Sequence, residues 1–142
     1  MTNANRRTKL KIMSEAKKLK VGKFYDRKEI AEMLGGNYQC ALPHKDGEVM
    51  AGCYDPVMNP NAPKEILVGK GRDREKYSNK IADGKTTIPI FLKRDSKKYE
   101  FVGYFRATKY SANREEIETK NNSDRNSNNI AAVLYYEEVA TV

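Results

Sequence analysis

The sequence contains no tryptophan, a single histidine and only two cysteines. Two cysteines are too few for a disulfide framework, and with His44 they supply only three of the four ligands that a Cys/His zinc site requires. We therefore expect Cys40 and Cys53 to be buried or half-buried free thiols. Nucleophilic catalysis needs a nucleophile beside a base, so the same scarcity argues against an enzyme. We expect no catalytic residue, no cofactor and no metal.

Long apolar runs are also missing. No stretch reaches the roughly 18 apolar residues that cross a bilayer, and the first residues lack the apolar segment of a signal peptide. We therefore predict a cytoplasmic protein that does not bind membranes. With 142 residues, of which 39% are hydrophobic, the chain has enough apolar side chains for one modest core.

Positive charge is concentrated in two blocks. Residues 1–28 carry a net charge of +8 and residues 70–98 a net charge of +6, whereas residues 29–69 and 99–142 are net −4 and −2. Basic blocks suit a polyanion, because each Lys or Arg that neutralises a phosphate releases condensed counterions. The alternative is a basic surface that serves only solubility; we favour nucleic acid as the partner.

Two helices are predicted near the N-terminus. Thr8–Lys20 has one apolar face surrounded by lysines, which predicts a basic amphipathic helix within a separate unit, residues 1–20. Asp26 and Glu29 are spaced as an N-terminal capping box for a second helix over Arg27–Leu34. That helix should end at Gly35-Gly36, since glycine readily adopts the left-handed conformation of a helix C-terminus.

A β-hairpin is the clearest sheet signal. Two apolar, aromatic-rich runs, Ile88–Leu92 and Tyr99–Tyr110, flank the charged turn Lys93–Lys98. Alternate residues of the second run, from Tyr99 to Ala107, predict its core face. Gly103 lies within this strand and carries no side chain, so we interpret it as a bend that closes a barrel.

The remaining segments complete an α+β order. Val49–Tyr54 and Ile66–Val68 are predicted strands, and Asp73–Ala82 is a predicted helix. Ser111–Asn129 is almost entirely polar and predicts a mobile loop, and Ile130–Val139 predicts a strand that closes the sheet beside the hairpin. We predict an α+β fold with a small, twisted, barrel-like β-sheet and flanking helices.

One turn has the composition of a phosphate-binding loop. Gly69-Lys70-Gly71-Arg72 follows a predicted strand and precedes a predicted helix, but it lacks the spacing of a Walker A motif or a Rossmann fingerprint. The simpler interpretation is a strand-to-helix turn.

Several motifs follow one another in a recognisable order. They are FYDRKEI at 24–30 with LGGNYQ at 34–39, NKIADGK at 79–85 with IPIF at 88–91, YEFVGYF at 99–105, and the closing strand at 130–136. Over about Val21–Val139 this order resembles the domain that precedes the HNH nuclease in certain modification-dependent restriction endonucleases.

The resemblance implies a PUA/SRA-like domain over residues 21–142. Such domains read modified bases in duplex DNA, and several of them flip the base into a pocket. The chain departs from the family in two ways: the glycine-rich middle is reduced to Ile66–Arg72, and there is no HNH histidine pair. The expectation is therefore a reader, related to restriction-modification, that binds DNA without cutting it.

A base-flipping reader needs rings for stacking, polar groups for the base edge and cations for the backbone. The candidates are Tyr38, Tyr54 and Tyr104 for stacking, Gln39 and Asp55 for the base edge, and Lys70, Arg72, Arg74, Lys80, Lys93, Arg94 and Arg106 for phosphates. Arg106 is the most suggestive cation because aromatic residues flank it. The alternative for each tyrosine is core packing with the hydroxyl at the rim.

Two functional classes follow. The first is a non-catalytic nucleic-acid-binding module that recognises DNA, including a modified duplex. The alternative is a protein-binding effector, such as a phage or mobile-element inhibitor of a host defence or nucleic-acid enzyme, with a nuclease or another defence protein as its partner. Binding to DNA through the basic blocks should weaken steeply with salt, whereas binding to a protein would persist without DNA.

Overall fold

The computed structural model describes residues 19–139, which form an α+β fold with a six-stranded mixed sheet and a separate two-stranded sheet. The helices are α1 (Arg27–Leu34), α2 (Arg72–Ile81) and α3 (Arg114–Lys120), with a 3-10 turn at Ser127–Asn129. The strands are β1 (Phe24–Tyr25), β2 (His44–Lys45), β3 (Glu48–Val49), β4 (Gly52–Tyr54), β5 (Glu65–Gly69), β6 (Thr87–Asp95), β7 (Lys98–Ser111) and β8 (Ile130–Glu138). Within this range no helix is long and apolar enough to cross a membrane. The predicted helix over Thr8–Lys20 lies, except for its last two residues, outside the described residues.

The large sheet has the strand order β4-β6-β7-β8-β5, and β1 pairs with the start of β7. The predicted hairpin is confirmed as β6 and β7, and β8 pairs with β7 as predicted. Strand β4 runs parallel to β6 because β5 and α2 lie between them in the chain and return it in the same direction. The predicted strand over Val49–Tyr54 is interrupted at Met50-Ala51, where the Met50 N–H bonds to Pro43 instead of a neighbouring strand.

Strand β6 is buried on both faces, which explains its continuous apolar run. Ile88, Ile90 and Leu92 face the main core, where α2 packs. Phe91 faces the opposite side and packs in the cluster that contains residues of α1. The sheet is therefore covered on both sides by helices.

The capping box that the sequence predicts for α1 is present. Asp26 accepts a hydrogen bond from the Glu29 N–H, and the Glu29 carboxylate accepts one from the Asp26 N–H. These bonds satisfy N–H groups that the first turn of the helix leaves unpaired. The helix ends at Leu34, followed by Gly35 with a positive φ of 88°. Local sequence alone therefore determines both ends of this helix.

The alternating burial predicted for β7 is present, but the single core face and the barrel are not. Phe101 packs in the cluster that contains α1 residues, whereas Phe105 and Ala107 face the main core on the other side of the sheet. Phe101, Phe105 and Ala107 are buried while alternate residues are partly exposed. Gly103 has a φ of 130° and lies at a bulge, since Ile90 pairs with Gly103 while the next residue of β6 pairs with Phe101. The glycine therefore bends the strand locally, yet the sheet remains open between its edge strands β4 and β5.

The segment 111–129 is not the mobile loop that its composition predicts. It contains α3, which Asn113 caps by accepting a hydrogen bond from the Glu116 N–H. Ile117 is fully buried against Leu67, Ile130 and Val133. One buried apolar residue is enough to dock this seven-residue helix because Arg114, Glu116 and Lys120 also bond to neighbouring parts of the chain. The prediction was wrong because it counted apolar residues without considering helix caps.

The buried contact of Ile117 can be tested by truncation. We expect Ile117→Ala to lower the free energy of unfolding by about 2–5 kcal/mol, because it removes three buried carbon atoms and leaves a cavity. Urea denaturation followed by circular dichroism measures the change. Glu118→Ala, at the exposed neighbouring position, is the control and should stay within about 0.5 kcal/mol of wild type. Equal stabilities of the two variants would contradict a docked helix.

A second test uses the carboxylate of Glu116. A hydrogen bond from the Tyr135 hydroxyl lowers the pKa of Glu116, with smaller contributions from Ser111 and Lys109. A carboxyl whose pKa falls on folding stabilises the fold above its unfolded pKa, and that stability disappears as the pH falls through the folded pKa. We therefore expect Tyr135→Phe to be destabilised at pH 7 and to converge on wild type below about pH 4. Thermal unfolding between pH 3 and 7 tests this, with Glu115→Gln as the control; a pH-independent difference would contradict it.

Candidate functional site

A cleft of about 470 Å³ lies between the two edge strands of the sheet. Its walls come from the ends of β4 and β5, the loop 39–42, the first half of α2, and Arg27, Lys93, Tyr99 and Arg125. The sheet curves enough for Tyr54 of β4 to contact Tyr136 of β8, although β6 and β7 lie between those strands. We call the opening between β4 and β5 the seam. The cleft occupies this seam.

The seam stays open because its main-chain groups bond elsewhere. On β5, the Leu67 N–H donates to Asn59 Oδ1 at 2.8 Å, and the Leu67 carbonyl accepts from Arg125 Nη1 at 2.8 Å. On β4, the Cys53 N–H donates to the Ala41 carbonyl at 2.7 Å. Each of these bonds uses a group that a closed barrel would pair across the seam.

Aromatic rings line the cleft at two depths. Tyr54 is only 4% exposed, and its hydroxyl is hydrogen-bonded to that of Tyr136 at 2.6 Å. Burial, together with the Tyr136 hydroxyl, raises the pKa of Tyr54. Nearer the surface, the half-buried His44 ring stacks on Tyr77 at 4.0 Å and donates from Nδ1 to the Leu42 carbonyl. The cleft therefore offers flat apolar surface as well as polar groups.

Four cationic side chains line the cleft, against the carboxylates of Asp55 and Asp73. Arg27 donates from Nη2 to the Cys40 carbonyl at 2.6 Å, and its guanidinium lies 5.6 Å from the Tyr99 ring centre. The Arg27 Nε is buried and has no hydrogen-bond partner in the described structure. The other three cations are Lys93 at the end of the buried part of β6, Arg74 in the first turn of α2, and Arg125.

The structure brings together five of the residues that the sequence suggested. Gln39, Tyr54, Asp55, Arg74 and Lys93 all line the cleft. The cleft therefore contains candidates for the base edge and for phosphates. Tyr54 is buried, so its ring does not present a free face for a base to stack on. This agrees with the alternative that Tyr54 packs in the core.

The other suggested residues lie outside the cleft. They are Tyr38, Lys70, Arg72, Lys80, Arg94, Tyr104 and Arg106. Arg72, Arg94 and Arg106 form ion pairs with Asp73, Glu100 and Glu137 at 3.4, 2.9 and 2.6 Å, respectively. The partner of Arg106 lies directly opposite it on β8. These carboxylates already balance three of the cations that we assigned to phosphates.

The rest of this group has structural contacts or is simply exposed. Lys80 donates to the Gly47 carbonyl, which ties α2 to the turn between β2 and β3. Tyr104 packs edge-on against Phe101, and burial raises its pKa. Tyr38 is 57% exposed beside Gln39.

The sequence did not single out Arg27 or Arg125 as site residues. Arg27 is the first residue of α1, and we interpreted it only as part of the helix. Arg125 lies in the segment that we expected to be mobile. One signal was present for Arg125: it is the last Lys or Arg of the chain, and apart from Asp124 its neighbours from 121 to 129 are all Asn or Ser. Their positions in the cleft depend on the tertiary fold.

The cysteines of the cleft differ in environment. Burial raises the pKa of the Cys53 thiol to about 12, against a smaller opposing effect of Arg27. A thiol with this pKa is neutral at pH 7 and a poor nucleophile. Cys40 is half-buried and accepts a hydrogen bond from Asn37. No cluster of His, Cys, Asp or Glu suited to a metal ion occurs among residues 19–139.

Comparison with known proteins identifies no relative. No protein-family model, no curated protein and no solved structure matches the chain. The resemblance to restriction-endonuclease specificity domains therefore stays a prediction, and the function has to be argued from the cleft.

The two thiols should react differently in the native protein. We expect a water-soluble aromatic disulfide reagent to modify Cys40 within minutes, while Cys53 reacts only at the rate of unfolding, because it is buried and neutral. Absorbance of the released thiolate gives both rates, and Cys40→Ser is the variant that assigns them. A fast phase that survives in Cys40→Ser would show that Cys53 is accessible in the cleft.

Proposed function

We propose that this protein is a non-catalytic nucleic-acid-binding module that accepts one unpaired nucleotide of its ligand in the cleft at the seam. The supporting observation is that one concave site collects three kinds of group: base-edge partners in Gln39 and Asp55, aromatic surface, and four cations. The specific ligand class that we propose is DNA, including duplexes with a modified base.

The charge of the cleft favours an anionic ligand. Its lining carries Arg27, Arg74, Lys93 and Arg125 against two carboxylates, and one of these, Asp73, is paired with Arg72 outside the cleft. Asp55 accepts a hydrogen bond from the Val57 N–H, which holds its side chain in a local turn. The remaining positive charge attracts phosphates and raises the association rate.

The size and surface of the cleft favour a single nucleotide over a strand of many. A volume of about 470 Å³ falls within the roughly 300–1,000 Å³ typical of small-molecule sites. Stacking on an aromatic side chain contributes about 1–3 kcal/mol per base, which offsets the few kcal/mol that removing a base from a duplex costs. The half-buried His44 ring, which stacks on the buried Tyr77 ring, is the aromatic surface that we assign to such a base.

The PUA/SRA-like assignment belongs to the same proposal. The motif order of the sequence supports it, as do the curved sheet and its helices on both faces, whereas the open seam departs from the barrel-like closure that we expected. The proposal includes no catalytic step, and the neutral, buried Cys53 thiol is not a candidate nucleophile.

A lysine pair tests whether the cleft binds nucleic acid. Lys93 lines the cleft, whereas Lys97, four residues later, is exposed in the hairpin turn. We expect Lys93→Ala to weaken binding of a fluorescein-labelled DNA about tenfold and Lys97→Ala about twofold or less, because the former removes a charge from a partly desolvated site. Fluorescence anisotropy measures both, on plain DNA, on duplexes with methylated cytosine or adenine, and on single strands of DNA and RNA.

Salt dependence and thiol protection complete the test. The logarithm of the affinity should fall with the logarithm of the salt concentration, with a slope of about −0.9 per duplex phosphate neutralised. A bound oligonucleotide should also slow the modification of Cys40, which lines the cleft.

Equal losses of affinity in the Lys93 and Lys97 variants would place binding elsewhere on the basic surface. Undetectable binding of every probe at low salt would contradict the proposal and leave the protein-binding effector as the alternative.

A further inference from the structure

Two arginine side chains converge on Gly69 at one end of the cleft. A Cβ atom on Gly69 would lie 3.3 Å from Arg125 Nη2 and 3.9 Å from Arg74 Nη1. Both guanidinium groups therefore lie within about 4 Å of one point, although Arg74 comes from α2 and Arg125 from the segment after α3. Glycine at this position keeps that point free of a side chain.

Both arginines are positioned by main-chain carbonyl groups. Arg125 Nη1 donates to the carbonyls of Leu67 and Met58 at 2.8 and 3.2 Å. Arg74 Nη1 donates to the carbonyl of Lys70 at 3.1 Å. Each guanidinium has five N–H donors, so these bonds fix its orientation and leave other donors for a ligand.

No carboxylate among residues 19–139 forms an ion pair with either arginine. The nearby acids have other partners: Asp73 pairs with Arg72, and Glu75 accepts a hydrogen bond from the Gly71 N–H. Burial and the adjacent charge of Arg74 lower the pKa of Arg125. Two like charges without a counter-charge destabilise each other, and a bound anion would remove that cost.

We propose that Arg74 and Arg125, which meet beside Gly69, form a phosphate-binding site within the cleft. This inference rests on the proposed function and adds the group by which the nucleotide is held. The ligand chemistry is a tetrahedral phosphate, either a terminal phosphomonoester or a phosphodiester of a nucleic-acid strand. Paired guanidinium groups suit it because each presents two parallel N–H donors to two phosphate oxygens.

This site differs from the phosphate-cradling loop that the composition of Gly69-Lys70-Gly71-Arg72 suggests. The Lys70 N–H donates to the Asn129 carbonyl, and the Gly71 N–H donates to Glu75. Those main-chain donors are therefore occupied, unlike the free amides of a P-loop. The first glycine instead leaves the point beside the two arginine side chains free of a Cβ atom.

Arg74 and Arg72 provide a matched comparison. Both are exposed arginines of the same first helical turn, but Arg74 lines the cleft and Arg72 lies outside it. We expect Arg74→Ala to weaken binding of a 5′-phosphorylated single-stranded DNA tetranucleotide about 10- to 100-fold, which is the size of a lost charge-assisted hydrogen bond. Arg72→Ala should change it by about threefold or less. Isothermal titration calorimetry measures both.

Gly69→Ala tests the geometry without removing charge. The φ angle of Gly69 lies outside the left-handed region, so alanine is compatible with the backbone. The added methyl group would occupy the point at which the two guanidinium groups converge. We expect about a tenfold loss of tetranucleotide affinity with an unchanged melting temperature.

Two ligand arms identify the phosphate. Comparing the 5′-phosphorylated tetranucleotide with its 5′-hydroxyl form distinguishes a terminal phosphate, which only the first contains, from an internal phosphodiester, which both contain. Inorganic phosphate is titrated separately while the arginine Nε–Hε resonances are followed by NMR. Selective shifts of Arg74 and Arg125, with Arg72 unmoved, are expected.

The outcomes separate this inference from the proposed function. If DNA binds in a Lys93-dependent manner while Arg74→Ala matches Arg72→Ala and phosphate moves neither resonance, the phosphate site is refuted and the nucleic-acid proposal stands. If no nucleic acid binds but phosphate still shifts Arg74 and Arg125 selectively, the phosphate site is supported and the nucleic-acid proposal fails.

Discussion

The structure depends on how the two edges of its sheet are satisfied without pairing with each other. A curved six-stranded sheet can close only if its outer strands exchange main-chain hydrogen bonds. Here Asn59 and Arg125 occupy the Leu67 N–H and carbonyl of β5, and Ala41 occupies the Cys53 N–H of β4. A buried main-chain group without a partner costs about 1–3 kcal/mol, so these three bonds stabilise the open form. The seam is therefore held open by specific hydrogen bonds of the fold.

The same bonds connect the seam to a distant part of the chain. Arg125 reaches β5 only because the segment around it is ordered: Arg114 of α3 donates to the Ile130 and Ser127 carbonyls, and Asn121 donates to the Arg125 carbonyl. Ile117 anchors this helix in the core. The polar segment after β7 thus supplies one wall of the cleft. The geometry of the site therefore depends on this segment being ordered.

The sequence predicted correctly those helices and strands that depend only on residues close to one another in the chain. The capping box at Asp26 and Glu29, the alternation in β7 and the continuous apolar run of β6 each follow from the spacing of neighbouring residues, and each is present in the structure. Barrel closure and the role of Arg125 depend on residues more than 50 positions apart, such as Arg125 and Leu67. Composition misjudged residues 111–129 because a helix can be docked by one isoleucine and held by side-chain bonds to carbonyls.

Net charge is a weaker guide to the site than the pairing of individual charges. The formal charge of +8 comes from two basic blocks of the sequence, but Arg94 and Arg106 are each balanced by a carboxylate on the neighbouring strand. The cations that keep donors available in the cleft come from different parts of the sequence: Arg27 from the first basic block, Arg74 and Lys93 from the second, and Arg125 from a segment of negative net charge. Arg125 has a structural reason to lie at the seam, since it donates to the Leu67 carbonyl, but this position leaves its charge beside that of Arg74 with no ion-pair partner among residues 19–139. The convergence of these charges on one concave seam therefore supports our proposal of an anionic ligand more directly than the net charge of the chain does.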